Sequence, residues 1–138
     1  MICNTFERQG RQVPFTRNLL ERILVRGSRE GAVSFYLARD AKEVTHAAAL
    51  VVRDSVRAYY LLGGTAPGFR TTGGMSLLLW HALQDAQERG LQIFDFEGSM
   101  IEPIEKFFRT FGTVQTPYFR VTKDFSRSLR LFRNLRGT

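Results

Sequence analysis

Two carboxylates placed two residues apart are the side chains best suited to chemistry. Asp95 and Glu97 belong to the strand-like run Gln92–Glu97, where they alternate with two phenylalanines. In a β-strand, here one expected to be central in the sheet, this spacing puts both carboxylates on one face, about 7 Å apart. One would serve as a general base, and the other would bind a cationic group. The structural alternative is that Asp95 caps a turn or pairs with an arginine such as Arg109.

A glycine-rich loop is the second candidate for chemistry. Residues 58–64 read AYYLLGG, residues 70–75 read RTTGGM, and an amphipathic stretch continues to Arg89. A glycine-rich loop at a helix N-terminus exposes backbone N–H groups and the positive end of the helix dipole. The pattern therefore predicts an anion site, for which a pyrophosphate is a common occupant.

Composition narrows the class of protein. The 138 residues fit one domain, predicted to span residues 1–138, and the 43% hydrophobic content argues against global disorder. The single cysteine, Cys3, excludes an internal disulfide and a cysteine-based zinc site. No apolar run approaches the roughly 20 residues of a membrane span, and the first residues lack a signal-peptide core. We therefore expect a cytoplasmic protein.

The chain is basic, with a net charge of +7 from 20 Lys and Arg against 13 Asp and Glu. This balance favours anionic partners such as nucleotides, nucleic acid or a membrane surface, and a plain solvated surface is the alternative. The densest basic region is the predicted last helix, a candidate RNA contact. Its basic residues are Lys123, Arg127, Arg130, Arg133 and Arg136. Neither histidine has a partner at metal-ligand spacing, so no metal site is predicted.

Hydrophobic periodicity predicts the elements that position these residues. Helix-like patterns cover residues 13–27, 75–89, 101–111 and 125–135, and strand-like patterns cover 32–39, 43–53, 56–62, 92–97 and 114–122. The first three strands are joined by very short turns, so they must be antiparallel. The strands at 56–62 and 92–97 flank a helix and should be parallel. The sequence predicts an α+β (α/β) fold with one mixed, mainly antiparallel central sheet, flanked by helices.

This element order resembles that of the GNAT acyltransferase superfamily, and the sequence motifs are similar to those of its FemAB-like branch. The stretches that carry the likeness are YLLGG at residues 60–64 with Arg70, LLLW at 77–80 with AQERG at 86–90, and FDFEG at 94–98 with IEKFFRTFG at 104–112. The likeness covers about residues 30–123. It implies an N-acyltransferase in which an acceptor amine attacks the acyl donor directly.

The resemblance also implies the donor and its site. In such proteins backbone N–H groups of the loop hold the pyrophosphate of acetyl-CoA or another acyl-CoA, in the pattern Gln/Arg-x-x-Gly-x-Gly/Ala. Arg70 and Gly73 match this pattern, whereas Met75 departs and would crowd the pyrophosphate. FemAB-like enzymes use aminoacyl-tRNA, which is therefore the alternative donor. The implied cofactor-binding residues are Leu62, Gly63, Gly64, Arg70, Thr71, Thr72, Gly73 and Gly74.

Catalytic and acceptor-binding roles follow from the same resemblance. Glu97 or Asp95 would be the base, Tyr118 in the final strand would be the general acid, and Lys106 and Arg109 would bind a carboxylate or phosphate of the acceptor. The acceptor would be a small-molecule or peptidyl amine. FemAB-like enzymes carry two such domains, so the chain is expected to be a stand-alone relative, one half of a longer protein, or a homodimer. A non-catalytic GNAT-like module that binds RNA or a protein partner is the alternative function.

Overall fold

The computed structural model describes residues 15–98, 101–117, 119 and 121, which form four strands and three helices. In chain order they are α1 (Arg17–Arg29), β1 (Val33–Arg39), β2 (Thr45–Arg53), β3 (Arg57–Thr65), α2 (Gly74–Glu88), β4 (Ile93–Asp95) and α3 (Glu102–Arg109). The sheet order is β1-β2-β3-β4, with the first three strands antiparallel and β3 parallel to β4. The predicted mixed sheet flanked by helices is confirmed.

Small side chains on β2 and large ones on the helices build the core. Ala47 and Ala49 of β2 are completely buried against Leu79 of α2, which is also inaccessible. Alanine leaves room for the helix to approach the strand closely. Phe96 and Phe108 continue the same cluster to α3. This core fixes α2 and α3 relative to the carboxyl ends of β3 and β4.

Several predicted boundaries need correction. Helix α1 begins at Arg17, because the Thr16 side chain accepts a hydrogen bond from the Leu19 N–H at 3.2 Å and so caps the helix. Strand β3 continues through Gly63 and Gly64, which were expected to follow it. Neither glycine breaks the strand, because both are paired with alanines of β2.

The predicted strand over residues 114–122 is wrong in the part that the structure describes. Residues 114–117 form neither strand nor helix, and Val114 is 87% exposed. Pro117 has no N–H to give to a strand ladder, which works against pairing there. Tyr118 and the predicted basic helix at 125–135 lie outside the described residues. No helix among the described residues is long and apolar enough to cross a membrane.

Candidate functional site

The N-terminus of α2 offers free backbone donors. Gly73 occupies the N-cap in the left-handed region, with φ 73°, and no side chain caps the helix. The Leu77 N–H is the first to bond back, to the Gly73 carbonyl at 3.0 Å. The N–H groups of Gly74, Met75 and Ser76 therefore have no acceptor among the described residues. No acidic residue lies in the first turn, so this end of the helix can receive an anion.

Local hydrogen bonds hold the loop that leads into α2. The Phe69 N–H donates to the Ala66 carbonyl at 3.1 Å, and the Thr72 hydroxyl donates to the Phe69 carbonyl at 2.8 Å. The ring of His46 packs on the ring of Phe69, with centroids 4.1 Å apart. Arg70 is exposed at the surface of this loop. The contact with His46 lies on the β2 side of the loop, so the side that carries the exposed Arg70 is open to solvent.

A bulge in β2 brings His46 to this loop. The β1–β2 register shifts at Ala38 and Arg39, which leaves His46 without a partner in β1. A bulge of this kind re-aims a side chain. A Cβ placed on Gly74 would lie only 3.2 Å from the His46 Cβ, so the helix start and the strand are in close contact. A side chain at Gly74 would make this contact tighter than most contacts of a Cβ atom, a packing reason for glycine that the glycine pattern alone did not reveal.

Asp40 anchors His46 from the β1–β2 turn. Its Oδ1 accepts the N–H groups of Val44 and Lys42, both at 2.9 Å, and its Oδ2 lies 3.2 Å from His46 Nε2. The other ring nitrogen, Nδ1, lies 3.3 Å from the Thr72 hydroxyl. The backbone hydrogen bond from Val44, with further help from Lys42 and His46, holds the pKa of Asp40 below its usual value.

This lowered pKa predicts a pH-dependent effect of Asp40→Asn. A carboxyl with a depressed folded-state pKa stabilises the fold above its unfolded-state pKa, and that contribution is lost as the pH falls through the folded value. We expect a lower urea midpoint for the variant than for the parent at pH 7, and a smaller difference at pH 3. Equal differences at both pH values would show that charge on Asp40 has no part in the turn.

Strands β3 and β4 separate after three residue pairs. The ladder joins Arg57 to Ile93, Ala58 to Phe94 and Tyr59 to Asp95, and β3 then continues to Thr65 without β4. A register shift against β2 leaves Leu61 of β3 unpaired, as in a bulge that bends the strand. The β4-facing edge of residues 60–65 therefore carries unpaired backbone groups within the described part of the chain.

A cavity of about 620 Å³ lies along β4, α3 and residues 113–116. Charged side chains of both signs line it, and phenylalanines supply the apolar part. The charged residues are Arg57, Asp95, Glu105 and Arg109, and the phenylalanines are Phe94, Phe96 and Phe108. The lining runs along the whole of β4, from Arg57 and Ile93 at its amino end to Asp95 at its carboxyl end. In sheets with parallel strands, ligands bind at the carboxyl ends of the strands.

The structure corrects the expected pair of carboxylates. Strand β4 ends at Asp95, and Glu97 follows in the left-handed region, with φ 59°. Asp95 Oδ1 accepts the Glu97 N–H at 2.8 Å, so it caps the strand end as the structural alternative predicted. The two carboxylates therefore do not share a strand face. Strand β4 also lies at the end of the described sheet order, whereas a central position was expected.

The remaining candidates divide between the cavity and the surface. Arg109 lines the cavity, and its Nε is paired with Glu105. Its Nη2 donates to the Gln115 Oε1 at 3.4 Å. Lys106 is exposed and is paired with Glu102 at 2.7 Å, outside the cavity lining.

Met75 packs against the core cluster, so its side chain is not free to fill the space in front of the loop. The described residues contain no cluster that could hold a metal ion.

Tyr60 is a polar residue at this site that sequence reasoning missed. Its ring packs against Phe96 and Phe108, with centroids 6.4 and 5.9 Å away. Burial of the ring raises the pKa of Tyr60 to about 12. In sequence Tyr60 is one aromatic residue within an apolar strand, so only its packing against Phe96 and Phe108 in the fold distinguishes it.

Comparison with known proteins agrees with this geometry. A family model described as an acetyltransferase (GNAT) domain matches residues 4–134. A Clostridium acetobutylicum structure, described as a predicted acetyltransferase with acetyl-CoA, has 15% identity and a TM-score of 0.68, with 88% of this chain and 87% of that chain covered. A structure described as a probable acetyltransferase has 18% identity and a TM-score of 0.66, covering 91% and 87%.

The two structural likenesses show the fold, and the family match extends over most of the sequence. No curated protein matches the chain. The uncapped start of α2 after β3, the parallel β3–β4 pair and the family match agree with one another. The chain therefore belongs to the GNAT acetyltransferase domain family.

Proposed function

We propose that this protein is an N-acyltransferase that takes its acyl group from acyl-CoA, with acetyl-CoA as the simplest donor. The uncapped N-terminus of α2 carries this proposal. Three free N–H groups and the positive helix end are available there for a pyrophosphate. Thr72 and Gly73 shape the loop, and Arg70 supplies a nearby exposed cation. Gly63 and Gly64, the other glycines proposed to bind the donor, would do so from within β3 rather than from the loop.

The unpaired edge of β3 provides a path for the rest of the donor. An extended chain that carries amides can add to a free strand edge through main-chain hydrogen bonds. The pantetheine arm of CoA is such a chain. With its pyrophosphate at Gly74, the arm would run along residues 65 to 60, past Leu62, toward the point where β3 and β4 separate. The thioester would then lie between Tyr60 and the end of β4.

The cavity beside β4 is the proposed acceptor site. Asp95 Oδ2 has no hydrogen-bond partner within the described residues, so this oxygen can accept from an ammonium or take a proton from it. Arg109, held by Glu105, and the outer Lys106 would bind a carboxylate or phosphate of the acceptor. Glu97 is exposed just beyond the cavity and remains a second candidate base. Tyr118, the candidate general acid, lies outside the residues that the structure describes.

The reaction is a direct transfer. The acceptor nitrogen attacks the thioester carbonyl carbon and forms the C–N bond, while the carbonyl oxygen gains negative charge. Asp95 takes the proton that the nitrogen loses. The C–S bond then breaks with its electron pair on sulfur, and the CoA thiolate takes up a proton. The bonds and protons of this transfer balance without an oxidant or a metal.

A donor comparison tests this function. Purified protein would be incubated with a panel of primary amines and either radiolabelled acetyl-CoA or radiolabelled aminoacyl-tRNA. We expect acetyl transfer from acetyl-CoA to at least one amine, with saturation in both substrates. Transfer from aminoacyl-tRNA alone would instead place the protein with the FemAB-like enzymes. RNA retention without transfer from either donor would support the non-catalytic module.

A further inference from the structure

Both ring nitrogens of His46 face oxygens that can only accept a hydrogen bond. The Asp40 Oδ2 lies 3.2 Å from Nε2, and the bond from the Val44 N–H, which lowers the pKa of Asp40, keeps this carboxylate ionised at neutral pH. The Thr72 hydroxyl oxygen lies 3.3 Å from Nδ1, and its own hydrogen is donated to the Phe69 carbonyl at 2.8 Å. Each ring nitrogen must therefore donate, which requires a proton on both of them.

The β1–β2 turn supplies the charge that balances such an imidazolium. Asp40 is the charged residue of the turn that contacts His46, whose side chain is only 16% exposed. Arg39 and Glu43 are paired with each other at 2.9 Å, and Lys42 is exposed. The turn therefore presents one negative charge to the ring.

The loop before α2 and the start of that helix enclose the ring from the other side. Phe69 packs on it, with centroids 4.1 Å apart, and a Cβ placed on Gly74 would lie 3.2 Å from the His46 Cβ. Arg70 is the charged residue of this loop, and it is exposed. His46 thus contacts residues on both sides of Gly73, where the pyrophosphate of the donor is proposed to bind.

We propose that His46 is a positioning residue for the acyl donor, because its imidazolium holds this loop in the form that binds the pyrophosphate. The identity of the ligand in this inference rests on the proposed function. Loss of a ring proton would leave a nitrogen lone pair facing either the Asp40 carboxylate, which repels it, or the Thr72 oxygen. In the second case the hydroxyl hydrogen would turn to the nitrogen and leave the Phe69 carbonyl. Donor affinity should therefore fall as the pH rises and His46 becomes neutral.

Nitrogen NMR of the free protein tests the protonation state without any ligand. The chain has two histidines, His46 and the exposed His81, so the spectrum of His46→Gln assigns both ¹⁵N-labelled rings. At pH 7 we expect both nitrogens of His46 to carry protons. In Asp40→Asn the new amide N–H would face Nε2 and donate to it, so His46 should become a neutral ring protonated at Nδ1. A neutral His46 in the wild type at pH 7 would overturn the proposal.

Calorimetric titration with acetyl-CoA between pH 6 and pH 9 tests the effect on the donor. The 3′-phosphate of CoA also titrates near pH 6, but it does so with every variant. Across this range we expect the Kd of the wild type and of the control His81→Gln to rise about fivefold more than that of His46→Gln. This factor is the value of one net hydrogen bond.

The wild type alone gives a second readout. At pH 8 the binding of acetyl-CoA should take up protons, seen as a heat that changes with the ionisation enthalpy of the buffer. Binding without proton uptake, and with the same pH dependence in wild type and His46→Gln, would overturn the role of His46 while the donor assignment stands. Failure of the wild type to bind acetyl-CoA at any of these pH values would overturn the donor assignment and this inference with it.

Discussion

Replacement of Gly73 by aspartate is expected to raise the Kd for acetyl-CoA by about 100-fold or more. The new carboxylate would stand at the N-cap of α2, beside the free N–H groups of Gly74, Met75 and Ser76. Two unit negative charges about 5 Å apart repel by roughly 3 kcal/mol at an effective dielectric constant near 20. That energy corresponds to a factor of about 100 in Kd. Calorimetric titration with acetyl-CoA measures it.

Gly73→Asn is the matched control for this charge. Asparagine and aspartate have the same shape, and both adopt the left-handed backbone of Gly73 more readily than other non-glycine residues. We expect Gly73→Asn to raise the Kd by less than about 10-fold, with similar melting temperatures for the two variants. Equal affinities for the two variants would show that no anion binds at the start of α2.

Asp95→Asn is expected to lower kcat for acetyl transfer by about 100-fold or more, the usual contribution of a general base. Asparagine keeps the oxygen that accepts the Glu97 N–H at 2.8 Å, so the end of β4 should be preserved. The variant removes only the ability to take a proton. Initial rates with acetyl-CoA and the amine identified in the donor comparison, measured against pH, separate loss of the base from loss of binding.

Asp54→Asn provides the comparison for Asp95→Asn. Asp54 also caps a turn, because its Oδ1 accepts the N–H groups of Val56 and Arg57 at 2.7 Å, but it does not line the cavity. We expect Asp54→Asn to reduce stability without a matching loss of kcat. If Asp95→Asn retains full activity, the base lies elsewhere, and Glu97→Gln becomes the next variant to measure.

The order of elements was predictable from local patterns. The meander of β1, β2 and β3 followed from very short turns, and the parallel β3–β4 pair followed from the helix between them. The helix-like pattern over residues 101–111 likewise corresponds to α3, whose Phe108 is buried. These features are predicted from periodicity over many residues, so the prediction does not depend on any one position.

The details of the site depended on pairing between strands, which one sequence does not show. His46 reaches the loop because the β1–β2 register shifts there, and Leu61 is unpaired because β3 shifts against β2. The alternation of Asp95 and Glu97 predicted one strand face, yet the chain turns into the left-handed region at Glu97. The position of Tyr60 likewise arises from packing against Phe96 and Phe108, which are distant in sequence.

Titration of the wild-type protein with acetyl-CoA tests the central claim most directly. Calorimetry and thermal unfolding would be carried out together, with CoA as the second ligand. Because a ligand that binds only the folded protein stabilises it by RT ln(1 + [L]/Kd), binding must raise the melting temperature as well as release or absorb heat. We predict micromolar affinity for acetyl-CoA and a clear rise in melting temperature. Absence of both at millimolar acetyl-CoA would contradict a donor site at Gly73 and Gly74.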